Sequence, residues 1–202
     1  MGGDTDSNGG GDHDADTESD VESGSDWSVR DEYSAGINVF LHFGVLGAIA
    51  LATGQPFLFP SLGPSAYLMA TGEKARQEGP YHIIGGHTVA VFAGLVAYAL
   101  FGGDVSAYIA FDAPDPAFTW DLVRLTASAM TAMVLTTVVM LVTKTNHAAA
   151  CATTLIVALG LMGGLADAIV IVVAVTILTY FHDWVVGPLS KYYGFKPRDA
   201  RG

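Results

Sequence analysis

The chain has 202 residues, of which 51% are hydrophobic and 14% are charged, and its mean hydropathy is +0.42. This composition is too apolar for an ordinary soluble domain and indicates a polytopic membrane protein. Cys151 is the single cysteine, so an intramolecular disulfide is excluded. The net charge of −11 is distributed unevenly, because residues 1–33 hold eleven acidic residues and one basic residue.

Residues 1–33 are rich in Gly, Asp, Ser and Glu, which bury too little apolar surface to fold alone. We predict a disordered acidic cytoplasmic tail over 1–33. A transmembrane domain over 34–190 and a short basic cytoplasmic tail over 191–202 follow it. A solvated tail is the favoured interpretation of 1–33, and an interaction arm is the alternative.

Six apolar segments follow the tail. In chain order they cover residues 34–54, 57–71, 84–102, 121–143, 147–163 and 165–186. A helix needs roughly 20 residues, at roughly 1.5 Å each, to cross roughly 30 Å of hydrocarbon. Four segments are long enough, whereas 57–71 and 147–163 are short, and each is either a full span or a re-entrant half-helix. We therefore predict an all-α transmembrane helical bundle with four long and two short membrane segments.

The basic residues favour a topology in which all six segments cross the membrane. With a cytoplasmic N-terminus, the outer edge carries only Arg124, and the outer loop 103–120 carries three Asp residues and no Lys or Arg. The cytoplasmic side carries the other eight basic residues, which are Arg30, Lys74, Arg76, Lys144, Lys191, Lys196, Arg198 and Arg201. This distribution follows the positive-inside rule. We therefore predict a multi-pass protein of the cell membrane with both termini in the cytoplasm.

The order long–short–long occurs twice, over 34–102 and 121–186. Because each unit has an odd number of segments, the second unit would be inverted relative to the first. Ser65-Ala66 and Thr153-Thr154 lie at similar places in the two short segments. Inverted repeats with paired short segments are typical of transporters that bind their substrate at the repeat interface. Chance similarity among six apolar segments is the alternative interpretation.

The first short segment contains Gly63-Pro64-Ser65-Ala66 near its start. Proline suits the first turn of a helix, and glycine permits close approach of a backbone or a ligand. The free N–H groups of such a helix start attract anions, and Ser65 adds a hydroxyl. Tight helix packing through small residues is the alternative function of this motif.

A polar junction, Thr143–Thr153, separates the fourth and fifth segments. Lys144 can reach the cytoplasmic interface, and Asn146 is predicted to be the N-cap of the fifth segment. His147 and Thr153 can donate hydrogen bonds to an anion near that helix start. The alternative is a junction that serves only as anchor, cap and packing surface.

Four of the six histidines fall in one half of the membrane in the six-span topology. His87, His147 and His182 lie near the cytoplasmic face, and His42 lies roughly 12 Å deeper. Such a set suits a proton-coupled or anion-coordinating vestibule, and separate packing roles are the alternative. No pair has metal-ligand spacing, and no nucleotide-binding or hydrolase motif occurs. We therefore expect no metal, no cofactor and no enzyme activity.

Three sequence blocks resemble a known family. They are Thr143-Lys144-Thr145-Asn146-His147 with Ala152-Thr153 and Leu155-Ile156, the upstream Gly63-Pro64-Ser65-Ala66, and Pro80 with Ile84-Gly85-Gly86-His87. In order and spacing these blocks resemble the HPP family of integral membrane proteins, over about residues 38–186. The resemblance implies a bundle commonly described as having four spans, and it implies nitrite transport, which is attributed to some members.

The chain differs from that family's pattern at the polar junction. Ala148 and Ala149 stand where the family name expects two prolines, and Cys151 stands where a glycine is usual. Prolines would stop the fourth segment from continuing as a helix, whereas alanines permit a more helical junction.

These patterns predict a channel or secondary carrier for a small monovalent anion, with nitrite as the best single guess. The predicted substrate-binding residues are Gly63, Ser65, His87, Asn146, His147 and Thr153. The expected partners are the lipid bilayer and the small anion, without nucleic acid, and a homo-oligomer is left open. The alternative function is a non-transporting membrane scaffold or sensor subunit that docks through the acidic tail.

Overall fold

The computed structural model describes residues 29–71, 79–112, 114 and 117–192. Within this part of the chain the regular structure is helical throughout, which confirms the predicted all-α class. The helices are α1 (Val29–Thr53), α2 (Leu62–Thr71), α3 (Pro80–Ala97), α4 (Ala107–Phe111), α5 (Trp120–Thr143), α6 (Ala150–Ala158), α7 (Leu165–Phe181) and α8 (Gly187–Tyr192). Short π-helical turns, Tyr98–Gly102 and His182–Val186, extend α3 and α7.

Four stretches of helix are long and apolar enough to cross a membrane: Tyr33–Thr53, Pro80–Gly102, Trp120–Thr143 and Leu165–Ser190. They correspond to the four long segments predicted from the sequence. The short helices α2 and α6 have 10 and 9 residues, which is about 15 and 14 Å of helix and half of what a span needs.

The segment ends differ from the prediction by a few residues. Helix α1 begins at Val29, inside the predicted tail, and α3 begins at Pro80, because proline at a first helical position loses no hydrogen bond. Helices α2 and α6 begin later than predicted, because backbone without helical structure precedes each of them. The predictions for 1–28 and 193–202 lie outside the described residues.

Helices α3 and α5 are antiparallel neighbours. The Tyr81 hydroxyl, at the start of α3, donates to the Thr143 carbonyl at the end of α5 over 2.7 Å. At the other end, Arg124 Nε donates to the Phe101 carbonyl over 2.9 Å. We call the end of the bundle with Pro80 and Thr143 the terminal side, and the end with Phe101 and Arg124 the loop side.

Helix α6 runs through the bundle in the same direction as α3. A Cβ added to Gly86 would lie 2.8 Å from His147 Cβ, and one added to Gly94 would lie 2.7 Å from Val157 Cβ. Beyond α6, the Leu159 carbonyl accepts from the Ala107 N–H at the loop side. The chain from Thr143 to Leu159 therefore passes from the terminal side to the loop side, although only part of it is helical.

Helix α2 runs in the opposite direction. The Ser61 hydroxyl meets Thr153 in the middle of α6, whereas Ser65, one turn later, meets His147 before α6 begins. The chain therefore moves toward the terminal side through 61–65. Six passes through the bundle, as the favoured six-segment topology predicts, require this direction, and the helices long and apolar enough to cross a membrane are the four long ones.

The two halves of the described chain share the same local features. The first long helix of each half ends at a residue with positive φ, which is Gly54 at 67° and Lys144 at 57°. Non-helical backbone and a short helix follow, and the fourth residue of each short helix carries a hydroxyl, Ser65 in α2 and Thr153 in α6. The third helix of each half ends in a π-helical turn. These shared features, with opposite directions of travel, are the ones that an inverted repeat predicts.

The junction before α6 breaks the helix without prolines. Lys144 ends α5 in the left-handed conformation, and residues 145–147 continue without helical structure. Thr145 packs where Gly85 has no side chain, since a Cβ there would lie 2.7 Å from Thr145 Cγ2. Ala148 and Ala149 form a turn that leads into α6, because their carbonyls accept from the Cys151 and Ala152 N–H groups, in keeping with the expectation that alanines permit a more helical junction.

The six passes predict which loops share a side of the membrane. In a Cys151→Ala background, Gly79→Cys and Lys144→Cys should react with an impermeant maleimide from one side, and Asp112→Cys from the other. Gly79 has space for a side chain, since no atom lies within 4 Å of an added Cβ. Labelling of sealed vesicles before and after permeabilisation measures the side, and labelling of Gly79→Cys and Asp112→Cys from the same side would contradict six passes.

The contact between α3 and α6 predicts opposite effects of two glycine substitutions. Gly94→Ala places a methyl group against Val157 and the Thr154 carbonyl, and such overpacking costs about 1–3 kcal/mol. Gly44→Ala meets nothing within 4 Å, so it should gain up to about 1 kcal/mol of helix propensity. Thermal unfolding in detergent should therefore rank Gly44→Ala above the parent and Gly94→Ala below it; equal midpoints would contradict the packing.

Candidate functional site

Four of the six predicted substrate-binding residues come together in the middle of the bundle. Ser65 of α2, His87 of α3 and Thr153 of α6 meet His147, which precedes α6. Ser61, which the sequence analysis missed, joins them through Thr153. We call these five residues the hydroxyl–histidine cluster.

The Ser65 hydroxyl is the point at which the two imidazoles meet. Its Oγ lies 3.1 Å from His87 Nε2 and 3.0 Å from His147 Nε2, and it donates to the Ser61 carbonyl over 3.3 Å. A hydroxyl has one hydrogen and two acceptor positions. When Ser65 donates to the carbonyl, both imidazoles donate to Ser65, so one hydroxyl can accept from two histidines.

His87 binds the two short helices from opposite edges of its ring. Its Nε2 faces Ser65 of α2, and its Nδ1 lies 2.7 Å from Thr153 Oγ1 of α6. Thr153 Oγ1 in turn lies 2.6 Å from Ser61 Oγ, where either oxygen can be the donor. His87 is therefore a bridge between the two short helices, and through them between the two halves of the repeat.

The cluster changes its donors with protonation. A neutral imidazole donates from one nitrogen and accepts at the other, whereas a protonated imidazole donates from both. With neutral His87, the Ser65–His87–Thr153–Ser61 chain can be oriented in either direction. With protonated His87, both hydroxyl neighbours must accept, so their own hydrogens turn toward other acceptors.

The cluster is fully buried and contains no fixed charge. The exposed fraction is 0% for Ser61, Ser65, His87 and Thr153, and 1% for His147. Among the described residues, the buried polar side chains include no Asp, Glu, Lys or Arg. Any positive charge on an imidazole here is therefore not neutralised by a buried carboxylate of the described chain, and an anion is the natural counter-charge.

Glycines at the start of α3 create the room for this arrangement. A Cβ on Gly86 would lie 2.8 Å from His147 Cβ and 3.0 Å from the Thr145 carbonyl, so only glycine lets the extended segment approach α3. His87 is the next residue, about 10 Å along α3 from Pro80. His87 and His147 are buried inside the bundle rather than exposed at its surface. Their position near the cytoplasmic face stays a prediction.

Gly63 and Asn146 do not join the cluster. Gly63 lies in the first turn of α2 as predicted, but no atom comes within 4 Å of a Cβ added there, so no close approach requires it. Asn146 is exposed and is not an N-cap, because α6 begins at Ala150 and Ala149 is the preceding residue. The capping prediction assumed that the helix starts directly after Asn146, whereas non-helical and turn residues over 147–149 separate Asn146 from the first residue of α6.

The four histidines of the predicted vestibule form two pairs. His87 and His147 have ring centroids 5.3 Å apart and share Ser65, whereas His42 and His182 meet each other between α1 and the turn after α7. No group of three or more His, Cys, Asp or Glu side chains within the described ranges is arranged to hold a metal ion.

Ser61 could have been found from its spacing. Ser61 and Ser65 are four residues apart, so they lie on one face when the chain turns helical between them. Pro60 and the non-helical backbone before α2 hide this relation, because they indicate a loop. A second buried hydroxyl pair, Thr136 and Thr154 at 2.9 Å, fastens α6 to α5.

The fold and the site define a polytopic helical membrane protein with a buried polar cluster between its two halves. The model of a known family, described as HPP, transmembrane region, matches residues 25–191. The chain belongs to the HPP family. A comparison with curated proteins and with solved structures gives no match.

The short distance between Ser61 and Thr153 predicts a selective cross-link. In a Cys151→Ala background, Ser61→Cys with Thr153→Cys should form a disulfide under mild oxidation, because the parent oxygens are 2.6 Å apart. Ser61→Cys with Thr154→Cys is the matched control, since Thr154 faces Thr136 instead. Mass spectrometry of the alkylated protein counts the remaining thiols; equal cross-linking of the two pairs would contradict the geometry.

Proposed function

We propose that the protein transports a small monovalent anion, with nitrite as the best candidate, and that the hydroxyl–histidine cluster binds it. The observation that carries the proposal is the position of His87, which bridges the two short helices inside a buried cluster without fixed charge. The family membership and the inverted repeat support transport as the general class.

The chemistry of the cluster favours an anion over a cation. Ser61, Ser65 and Thr153 can turn their hydrogens toward a ligand, and His87 and His147 can donate from Nε2. Cations prefer carboxylate and carbonyl oxygens, and the charged side chains of Asp167 and Arg124 lie near helix ends, where each binds backbone. A monovalent anion matches one protonated imidazole without leaving excess charge.

The closed packing of the cluster favours a carrier. Its five side chains bind one another and are buried, so an anion reaches them only when α2 and α6 move apart. The two helices belong to opposite halves of the repeat, and movement of one half against the other opens a central site to each side in turn. Both termini lie in the cytoplasm in this proposal, as the positive-inside distribution of Lys and Arg supports.

Uptake of isotope-labelled nitrite into proteoliposomes tests the function. His87→Gln and Ser65→Ala each remove a hydrogen bond to a charged ligand, which contributes about 1.5–3 kcal/mol, so uptake at limiting nitrite should fall about 10- to 100-fold. Ser128→Ala is the matched control, because Ser128 is also buried but donates to the Ala158 carbonyl on the far face of α6.

Empty vesicles give the background, since nitrous acid crosses bilayers unaided. Nitrate and formate, tested in parallel, show which small anion the site prefers. Permeation of all three anions no faster than in empty vesicles would refute the proposal. A loss of uptake in Ser128→Ala equal to that in Ser65→Ala would show that the cluster has only a structural role.

A further inference from the structure

A second polar cluster joins the first helix of the bundle to the end of the last long helix. The Asn38 side-chain amide donates to Ser190 Oγ over 3.1 Å, and one turn further along α1, His42 meets His182. His42 is 0% exposed, and His182 is partly exposed in the π-helical turn. The anion site described above uses none of these residues.

The two imidazoles meet edge to edge. His182 Nδ1 and His42 Nε2 are 3.2 Å apart, the ring centroids are 5.2 Å apart, and the ring planes differ by 18°. Because the centroids are 2.0 Å farther apart than the two nitrogens, the nearly parallel rings are displaced sideways and do not stack face to face. The two nitrogens therefore point at each other along a hydrogen bond.

The partners of His42 determine where the hydrogens lie. His42 Nδ1 lies 2.5 Å from the Asn38 carbonyl, which can only accept, so Nδ1 carries the hydrogen. In neutral His42, Nε2 is then an acceptor, and His182 Nδ1–H donates to it. An added proton binds His182 Nε2, because His42 Nδ1 already carries its hydrogen, and it converts the inter-ring bond to a charge-assisted one. A second added proton would place two positive rings in contact.

We propose that His42 and His182 form a proton-binding site that takes up one proton shared between the two rings and couples it to transport. The coupling role rests on the proposed anion transport, whereas the proton site stands on its own geometry. The ligand is the hydrogen ion, and its acceptor is the imidazole pair across the interface of the two halves.

The surroundings of the pair support one shared charge. On α1 the pair is next to Asn38, whose side-chain amide donates to Ser190 of α8. Both of these residues are neutral. Phe181 of α7 adds an uncharged ring at 6.0 Å from His42, in a T-shaped arrangement with the planes at 84°. Among the described side chains next to the pair, the charged group is Asp183, which is exposed; the described titratable groups Tyr180 and Tyr192 are exposed as well.

The position of the pair suits coupling. α1 belongs to the first half and the π-helical turn to the second, so the His42–His182 bond spans the surface along which the halves would move. A π-helical turn is a common place for a functional residue, because its extra residue leaves the backbone less tightly held. Uptake of one proton strengthens the bond, and its release weakens it, which biases the two arrangements of the halves.

Nitrogen NMR of histidine-labelled protein in lipid nanodiscs tests the proton site directly. We expect a scalar coupling across the His42–His182 hydrogen bond and a common titration midpoint for the two rings. His182→Asn places a side-chain amide near the position of the original Nδ1, but this amide cannot bind the proton. The substitution should therefore abolish the scalar coupling and change the titration midpoint of His42. Independent titration of the two rings without coupling would overturn the site.

Nitrite uptake with and without an inward proton gradient tests the coupling. The ratio of the two rates, after subtraction of empty vesicles, should be several-fold above one in the parent and close to one in His182→Asn and His42→Gln. His82→Asn is the matched control, because His82 is a histidine of α3 outside both pairs, and its ratio should equal that of the parent.

The two measurements separate the proposals. A parent without nitrite uptake but with a coupled histidine pair would refute the transport function and leave the proton site supported. A parent with uptake whose gradient response is the same in His182→Asn would refute the coupling, even when the NMR signature is present.

Discussion

The hydrogen bonding of one buried imidazole organises the centre of this bundle. In hydrocarbon every polar group has to find its partner inside the protein, and an imidazole has two nitrogens to satisfy on opposite edges. His87 satisfies them with Ser65 of α2 and Thr153 of α6. The two short helices are consequently held to the same long helix at the same depth, which neither could achieve through apolar packing alone, because lipid is as apolar as their own side chains.

Glycine is the steric counterpart of this hydrogen bond. The non-helical segment 145–147, which carries His147, packs where Gly85 and Gly86 have no side chains, and Val157 fills the space above Gly94. The same face of α3 thus accepts non-helical backbone at one level and helix at the next. In this chain the break between α5 and α6 begins at Lys144 in the left-handed conformation, with alanines at 148 and 149.

Ser65, His87, His147 and Thr153 were predictable from the sequence, because polar residues in apolar segments without nearby charges need partners, and paired short segments indicate where. The four long helices follow from hydropathy in the same way. The start of α6 was not predictable from local sequence, because non-helical backbone over 145–147 precedes it, and the relation of Ser61 to Ser65 is obscured by Pro60. Rules for helix capping assume that a helix begins where local propensity allows, and this assumption failed at Asn146. The π-helical turns have no sequence signal as strong as the hydropathy that marks the long helices.

The two histidine pairs place their ionisable groups differently in the inverted repeat. His87 and His147 meet over Ser65 at the centre, where α2 and α6 approach, whereas His42 and His182 lie between α1 and the end of α7. In the proposed mechanism, a bound anion stabilises a charge on the central cluster, and the two rings of the outer pair share one proton. If one rearrangement of the halves strains both contacts, then anion binding and proton binding favour the same arrangement, and each increases the affinity for the other by the same factor. The coupling then needs no direct contact between the pairs, only the rigid helices α1, α3 and α7 that carry them.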